Sequence, residues 1–393
     1  MNRPRLGLVM ILRDEAANLA RSLAPVSSSF DEVVVVDTGS KDGTPEMAAA
    51  LGAKVYSFTW TDDFSAARNF SLAQATAGWL FWLDGDNSIT PQDVQTLRQS
   101  LPAGGPAILW ALERVAKTGG QLWQKRCFPR SPEVRFRGRV HEQLIHPPEW
   151  PSLPTPVVVE HWGYDDPARN QAKGAYYLTL LEQMLADDPR DHYALFQAAR
   201  CHFNLRQFNQ AAGRLAYLAT LPQARRANPE LWVHAHCLWA QSLEQAGRGR
   251  EAEAALERLL KDMPEHGLAL YQRGRMAYDH GRWETAAGCF ERALARGLGA
   301  PLVDIDPGKT LFLAEYFLGR SLERLGRAPE AAQALARAVA RDPRNLASRT
   351  DLARVLISLA RLQEARAHLE RVLEERPGDR QAKDLLAGLE RAA

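Results

Sequence analysis

The chain has 393 residues, enough at roughly 100–200 residues per domain for two or three domains, with 46% apolar and 24% charged residues. That composition excludes a disordered tail, a collagen-like fibre and a disulfide scaffold. Lys plus Arg (49) nearly balances Asp plus Glu (47), and a net charge of +2 gives no footing for a nucleic-acid partner on a basic face. Cys127, Cys201, Cys237 and Cys289 are scattered without a CxxC pair. This argues against a zinc ribbon or a thioredoxin-type site and fits a reducing cytoplasm.

The first apolar run, Leu6–Leu12, meets Arg13-Asp14-Glu15 at once. It lacks a small-residue cleavage site and is far short of the about 20 apolar residues of a membrane span, so it reads as a buried strand. Glu32–Val36, Ala53–Phe58 and Trp79–Leu83 follow as strands, with helical period between them at Glu15–Leu23, Thr44–Leu51 and Phe64–Ala75. Strands apolar throughout are buried on both faces, which predicts a parallel, Rossmann-like sheet with helices on both sides. Such sheets bind ligands beyond the carboxyl ends of their strands. That edge carries Arg13-Asp14-Glu15, Asp37-Thr38-Gly39-Ser40 and Asp84-Gly85-Asp86.

No GxGxxG follows the first strand and no GxxxxGK[ST] occurs anywhere. Dinucleotide oxidoreductases and P-loop ATPases are therefore disfavoured. A mouth of carboxylates suits a divalent cation, which can in turn hold a diphosphate. Asp-x-Asp is common by chance, and its weight here comes from following directly on Trp79–Leu83. The plainer reading is a polar loop in which Asp86 or Asn87 makes local turn bonds. Thr90-Pro91-Gln92-Asp93 then starts a helix, with Thr as N-cap and Pro at N1.

Four ordered motifs carry a resemblance: Met10-Ile11-Leu12-Arg13-Asp14-Glu15, Val35-Val36-Asp37 through Thr44, Asp63-Phe64-Ser65-Ala66-Ala67-Arg68-Asn69, and Leu83-Asp84-Gly85-Asp86. Over roughly residues 5–165 the chain resembles the family 2 glycosyltransferases. The branch it resembles more closely is that of the sublancin-type peptide S-glycosyltransferases and their tetratricopeptide-bearing relatives. The resemblance implies a GT-A fold, a nucleotide-sugar donor (a UDP-sugar foremost) and a divalent metal, Mg²⁺ or Mn²⁺. It implies that Asp37 meets the nucleoside base, Arg68 the nucleotide or diphosphate, and Asp84 and Asp86 the ribose and metal. Leu12, Arg13, Glu15 and Gly85 join the donor site on the same ground. Relatives commonly continue the acidic motif with a carboxylate where this chain has Asn87.

Inverting transfer needs a carboxylate or His to take the acceptor proton. Strands are expected at Ala107–Leu112, Leu122–Phe128 and Glu133–Val140, followed by Arg139-Val140-His141-Glu142. This motif also resembles the branch and makes Glu142 the leading base, with His141 orienting it or touching phosphate. A surface ion pair is the plainer reading of a His-Glu pair at a strand end. His141 and His146 are five apart, about 140° around a helix, so they do not form an HExxH zinc site. Five prolines between Pro147 and Pro156 mark an irregular loop, and Val157–Tyr164 reads as the last strand. Its His161 is a candidate third metal ligand; a packed, hydrogen-bonded histidine is the equal alternative.

From about Ala168 onward the pattern is helical. Ala252 and Ala286 are 34 apart, as are Ala331 and Ala365, each preceded five residues earlier by Gly247-Arg248, Gly281-Arg282, Gly326-Arg327 or Ala360-Arg361. This is the tetratricopeptide period. Residues 200–211 form a first, less regular unit, Gly297–Lys309 is an insertion, and Gly378–Ala393 is a capping helix. The expected architecture is an α/β GT-A domain over 1–167 and an all-α tetratricopeptide solenoid over 168–393. The expected activity is metal-dependent, inverting transfer of a sugar to a peptide or protein presented by the repeats, in the cytoplasm and without a membrane span. A saccharide or lipid-linked acceptor, a degenerate transferase acting as a scaffold, and a structural or homodimerising role for the repeats are the alternatives.

Overall fold

A computed structural model of the protein describes residues 4–163, 167–297 and 306–392. Tyr164 and most of the insertion at 297–309 lie outside the described residues. The first half runs β1 (Leu6–Leu12), α1 (Ala16–Ser22), β2 (Glu32–Asp37), α2 (Thr44–Ala50), β3 (Lys54–Ser57), α3 (Phe64–Gln74), β4 (Trp79–Trp82), β5 (Asn87–Ser88) and α4 (Pro91–Ser100). It continues through β6 (Ile108–Val115), β7 (Gln121–Pro129), β8 (Arg135–Arg137), β9 (Gln143–Ile145) and β10 (Ser152–His161). Eight strands form one sheet in the order β3-β2-β1-β4-β7-β6-β10-β5, and β8 pairs with β9 apart from it.

The first four strands are mutually parallel, whereas β7 runs antiparallel to both β4 and β6. Alternation along β1 explains why the sheet is covered on both faces. Leu6, Leu8, Met10 and Leu12 pack with Leu19, Leu23, Phe81 and Leu97 on one face. Val9 joins Val34, Leu80, Phe128 and Phe136 on the other. Because β2 and β4 flank β1 on opposite sides, the chain leaves the sheet in two directions there and opens a crevice at the carboxyl edge. The Thr90 start of α4 is a complete capping box with Asp93.

Two expectations need correction. The strand expected over Glu133–Val140 shrinks to Arg135–Arg137, in a separate hairpin with Gln143–Ile145. Gly138 at φ 110° and His141 at φ 50° turn the chain between them, which ends strand geometry. Conversely, β10 begins at Ser152, inside the proline-rich stretch expected to be irregular. The register against β6 slips between Pro154 and Val158, so the prolines are taken up at a bulge.

The second half is helical: α5 (Pro167–Asp187), α6 (His192–Asn204), α7 (Phe208–Leu218), α8 (Pro222–Ala227), α9 (Pro229–Gln245), α10 (Gly249–Asp262), α11 (Gly267–Asp279) and α12 (Trp283–Arg296). Then come α13 (Pro307–Arg324), α14 (Ala328–Arg341), α15 (Leu346–Ser358), α16 (Leu362–Glu375) and α17 (Arg380–Ala392). Ala252, Ala286, Ala331 and Ala365 are fully buried, as helix pairs in close contact require. The turns before them share one design. Gly247, Gly281 and Gly326 lie at φ 70–77°, and the next arginine N–H returns to a carbonyl five residues back. Arg206 and Ala360 take the same left-handed turn at φ 59° and 56°, which identifies α6–α7 as a unit of the same kind. Secondary structure changes class between His161 and Pro167, whereas packing divides the described residues after Leu221.

Glu32, buried at the start of β2, accepts bonds from the Lys54 ammonium (2.9 Å), the Thr76 and Ala77 N–H groups (2.7 and 2.8 Å) and the Thr76 hydroxyl (3.0 Å). Burial alone would raise its pKa, yet these bonds hold it down to about 2. A depressed carboxyl stabilises the fold fully above its ordinary value of 4.5 and loses that contribution as pH falls towards 2. Glu32→Gln should cost about 1–3 kcal/mol at neutral pH. The difference from the wild type should shrink as urea melts are repeated down to about pH 3.

Candidate active site

The carboxyl edge of β1 and β2 is laced together by its own loops. The Asp37 carboxylate accepts from the N–H groups of Gly39 (3.1 Å) and Ser40 (3.2 Å). The Thr38 hydroxyl donates to the Leu12 carbonyl, and Ser40 and Thr44 accept from the backbones of Asp14 and Glu15. A Cβ on Gly85 would come within 2.7 Å of the Glu15 side chain and 3.0 Å of Leu12, so glycine lets the β4 loop close onto the β1 loop. Leu12, Glu15, Asp37 and Gly85 are thereby gathered at one edge. Arg13 is exposed at the loop, where its charge acts on Asp62 and Tyr176.

Arg68 joins the remaining pieces. Asp63 caps α3 by accepting from the Ala66 N–H at 3.0 Å, which starts the helix so that Arg68 turns under the sheet edge. Arg68 is 6% exposed, and its guanidinium carbon lies 4.2 Å from the Trp82 ring centroid. Nη2 donates to Asp84 Oδ1 at 2.7 Å, and Nε donates to Glu142 Oε1. The neighbouring Asn69 clamps the Phe136 backbone in both directions, at 2.9 and 2.8 Å, and so ties β8 to α3. Arg68, Asp84 and Glu142, drawn from three distant motifs, thus form one charged cluster.

A second guanidinium escaped sequence reasoning. Arg126, 1% exposed within β7, lies 3.6 Å from the same Trp82 ring. It pairs with Glu113, donates to Asn87 Oδ1 at 3.2 Å, and approaches Asp84 Oδ2 at 3.7 Å. Burial opposes ionisation of Asp84, but Arg68 and Arg126 outweigh it and hold the carboxyl below its ordinary range. Nothing in the sequence singled out Arg126, because Gln124 and Lys125 beside it make a charge there ordinary. Because Arg126 fixes Asn87 Oδ1, the Asn87 amide nitrogen faces His161 Nδ1 at 2.9 Å. Asp86 Oδ1 lies 3.6 Å from that same nitrogen.

This arrangement bears on the metal. Asp84 is engaged by arginines and His161 Nδ1 by Asn87, so Asp84, Asp86 and His161 do not assemble into a ready three-donor cage. Among the described residues no group of three or more His, Cys, Asp or Glu side chains is placed to hold an ion. Asp86 meets no guanidinium among those residues. One carboxylate shared with a diphosphate and water is a common way to hold Mg²⁺, so the donor set fits a cation that arrives with its nucleotide.

His141 turns away from the cluster. Its ring packs edge-on to Tyr177 of α5, with centroids 5.5 Å apart. Burial first, then the charges of Arg200 and Lys173, lower its pKa to about 3, so it is neutral at physiological pH.

A mostly parallel sheet with a carboxylate and arginine cluster at its switch point, followed by helical hairpins, defines a GT-A-like domain joined to a tetratricopeptide array. The family comparisons agree. The Glycosyl transferase family 2 profile matches residues 8–149, and tetratricopeptide repeat profiles match residues 237–301 and 322–389. The N-terminal domain belongs to glycosyl transferase family 2, and the C-terminal half carries tetratricopeptide repeats.

A TPR repeat-containing protein of Synechococcus elongatus is 36% identical over 202 residues, covering 48% of this chain and 50% of its own length. The SPbeta prophage-derived glycosyltransferase SunS of Bacillus subtilis is 25% identical over 207 residues, 49% of this chain and 48% of that protein. The chain thus spans about half the length of these curated relatives. Among solved structures, the C-terminal part of a TPR repeat-containing protein from Cytophaga hutchinsonii overlays with a TM-score of 0.43 and 16% identity, over 56% of this chain and 81% of that one.

Gly163 offers a test of the geometry. A Cβ there would lie 2.0 Å from Asp86 Oδ2, the free end of a side chain that can swing aside. Gly163→Ala should move the melting temperature by no more than about 2 °C, since it changes no core contact. If Asp86 holds a cation, nucleotide binding in Mn²⁺ should nonetheless weaken by about tenfold, as measured by titration calorimetry, because Asp86 is displaced.

Proposed function

We propose that the protein is a metal-dependent, inverting glycosyltransferase that moves a sugar from a nucleotide-sugar donor, a UDP-sugar foremost, to a peptide or protein acceptor. The observation that carries this reading is the Arg68 bridge, which brings Glu142 and Asp84 together at the carboxyl edge of a family 2 domain.

In this reading Asp37 and the β1 loop, with Leu12, Arg13, Glu15 and Gly85, take the nucleoside. Arg68 and Arg126 supply fixed positive charge, oriented without reorganisation beside the diphosphate. Mg²⁺ or Mn²⁺, when bound, neutralises charge on the leaving diphosphate, and Asp86 is the residue that would hold it, with His161 beside it. Glu142, 11% exposed at its side chain, is aimed by Arg68 Nε. The acceptor oxygen, sulfur or nitrogen bonds to the anomeric carbon, the bond to the diphosphate oxygen breaks, and Glu142 takes the acceptor proton.

A polypeptide acceptor is supported by the repeats. Helices α11, α13 and α15 carry a ladder of rings and charges: Tyr278 lies 4.8 Å from Phe317, Arg275 is 4.6 Å from Phe317, and Arg320 donates to Asp351 at 2.9 Å. Such stacks present long surfaces suited to an extended chain. The four cysteines are free and buried, in keeping with a reducing cytoplasm. No helix among the described residues is long and apolar enough to cross a membrane.

A panel of nucleotide sugars, scored by thermal stabilisation with Mn²⁺, should pick out the donor, because ligands of the native state raise apparent stability. Asp86→Ala should abolish turnover of that donor with little change in melting, and EDTA should do the same to the wild type; full activity in either overturns the metal role. Glu142→Gln still accepts from Arg68, so it should keep donor affinity while turnover falls by about 10²–10⁴-fold. A collapse of donor affinity would instead place Glu142 in the donor site.

A further inference from the structure

The loop that delivers Glu142 is held from outside the sheet. It spans Gly138 to Glu142 at the tip of the β8–β9 hairpin, and His141 takes a left-handed φ of 50°. That conformation is sterically disfavoured for a residue with a Cβ, so its surroundings must enforce it. At the near side, the Phe64 N–H that opens α3 donates to the Arg139 carbonyl at 2.8 Å. The other supports come from α5. Met184 Cε would lie 3.4 Å from a Cβ on Gly138, and the Tyr177 ring meets the His141 ring edge-on at 78°.

Tyr177 and Met184 are seven residues apart, two helical turns and about 10 Å along one face of α5. One helical stripe thus grips both ends of the loop. The helix is itself anchored: Tyr177 packs edge-on against Phe64 at 5.8 Å, and the neighbouring Tyr176 hydroxyl donates to Asp62 Oδ1 at 2.5 Å, where the Trp60 indole also donates at 2.9 Å. The Tyr177 phenol lies within electrostatic reach of the charged cluster. Burial, then the carboxylates of Glu142, Asp84 and Asp86, push its pKa well above the ordinary value.

We propose that Tyr177 is a positioning residue for sugar transfer: its ring clamps the His141 imidazole, fixes the left-handed turn there, and so delivers the Glu142 carboxylate to Arg68 Nε. This rests on the reading of Glu142 as the acceptor-side base. It also makes α5, a helix of the repeat-like half of the sequence, part of the transferase site. The Tyr177 ring from α5 packs against His141, and the charges acting on it are Arg200 from α6 and Lys173 from α5.

The test uses the full chain with Tyr177→Phe, Tyr177→Leu and Tyr177→Ala, the leucine variant guarding against a fold lost to the cavity. Two readouts are taken: hydrolysis of UDP-glucose and UDP-N-acetylglucosamine, and the titration of His141 by NMR of ¹³C-labelled histidine, assigned with His141→Asn. Tyr177→Ala and Tyr177→Leu should lose at least about tenfold in kcat with donor KM within twofold, since a small misplacement of a catalytic group is costly. In Tyr177→Ala, His141 should titrate higher than in the wild type, moving towards its ordinary 6.5 as burial is relieved while Arg200 and Lys173 remain. Tyr177→Phe should match the wild type in both readouts.

The proposal is overturned if Tyr177→Ala keeps its turnover, if His141 stays shielded without the ring, or if Tyr177→Phe is as impaired as Tyr177→Ala, which would assign the role to the hydroxyl. If the wild type hydrolyses neither donor, the reading of these two UDP-sugars as donors is what fails, and the His141 titration alone decides the clamp.

Discussion

Arg68 is a cation buried almost completely, and a bare guanidinium there would be untenable. It is made tolerable by two carboxylates and an aromatic face, each from a different part of the chain: Asp84 after β4, Glu142 from the β8–β9 hairpin, and Trp82 within β4. Removing one partner of such a group typically costs about 3–5 kcal/mol, because the remaining charge is left uncompensated. The constraint runs outward. The Asp63 cap fixes where α3 begins, Asn69 staples β8 to it, and the hairpin must then present its loop at the sheet edge. Arg126 repeats the logic one strand over, against the same indole, and sets the orientation of Asn87.

These pairings also shape the chemistry. Two guanidiniums around Asp84 leave the acidic motif divided between its members. The first carboxylate is part of the protein's own charge balance, and the second meets no guanidinium among the described residues. Motif matching treats the two as equivalent. The folded chain does not, because Arg126 contributes a charge that no local pattern connects to Asp84.

Much of the architecture was legible from periodicity. Runs of Leu and Val with no polar interruption demanded burial on both faces, and the 34-residue recurrence of Ala252 and Ala286 demanded paired helices in contact. That the segments after β1, β2 and β4 share one edge followed from strand ends alone. What escaped was set by non-local packing. Pro154 and Pro156 argue locally against a strand, yet β10 absorbs them at a slip in register. His141 and Glu142 are adjacent in sequence, and their side chains part ways because one left-handed residue sends the imidazole to α5 and the carboxylate to Arg68. Tyr177 carried no signal at all, since its helix reads as the start of the repeat-like half.

The turns of the helical hairpins carry one uneven detail. Gly247, Gly281 and Gly326 occupy the left-handed position at no steric cost, whereas Ala360 holds the same conformation with a Cβ. Arg206 does the same between α6 and α7. The strain is about 1 kcal/mol at each. In a linear array each unit is supported only by its neighbours, so strain in one hairpin is not averaged over the whole. Local opening therefore begins more readily at the Arg206 and Ala360 turns than at the glycine turns, and the amides beside them exchange their protons first.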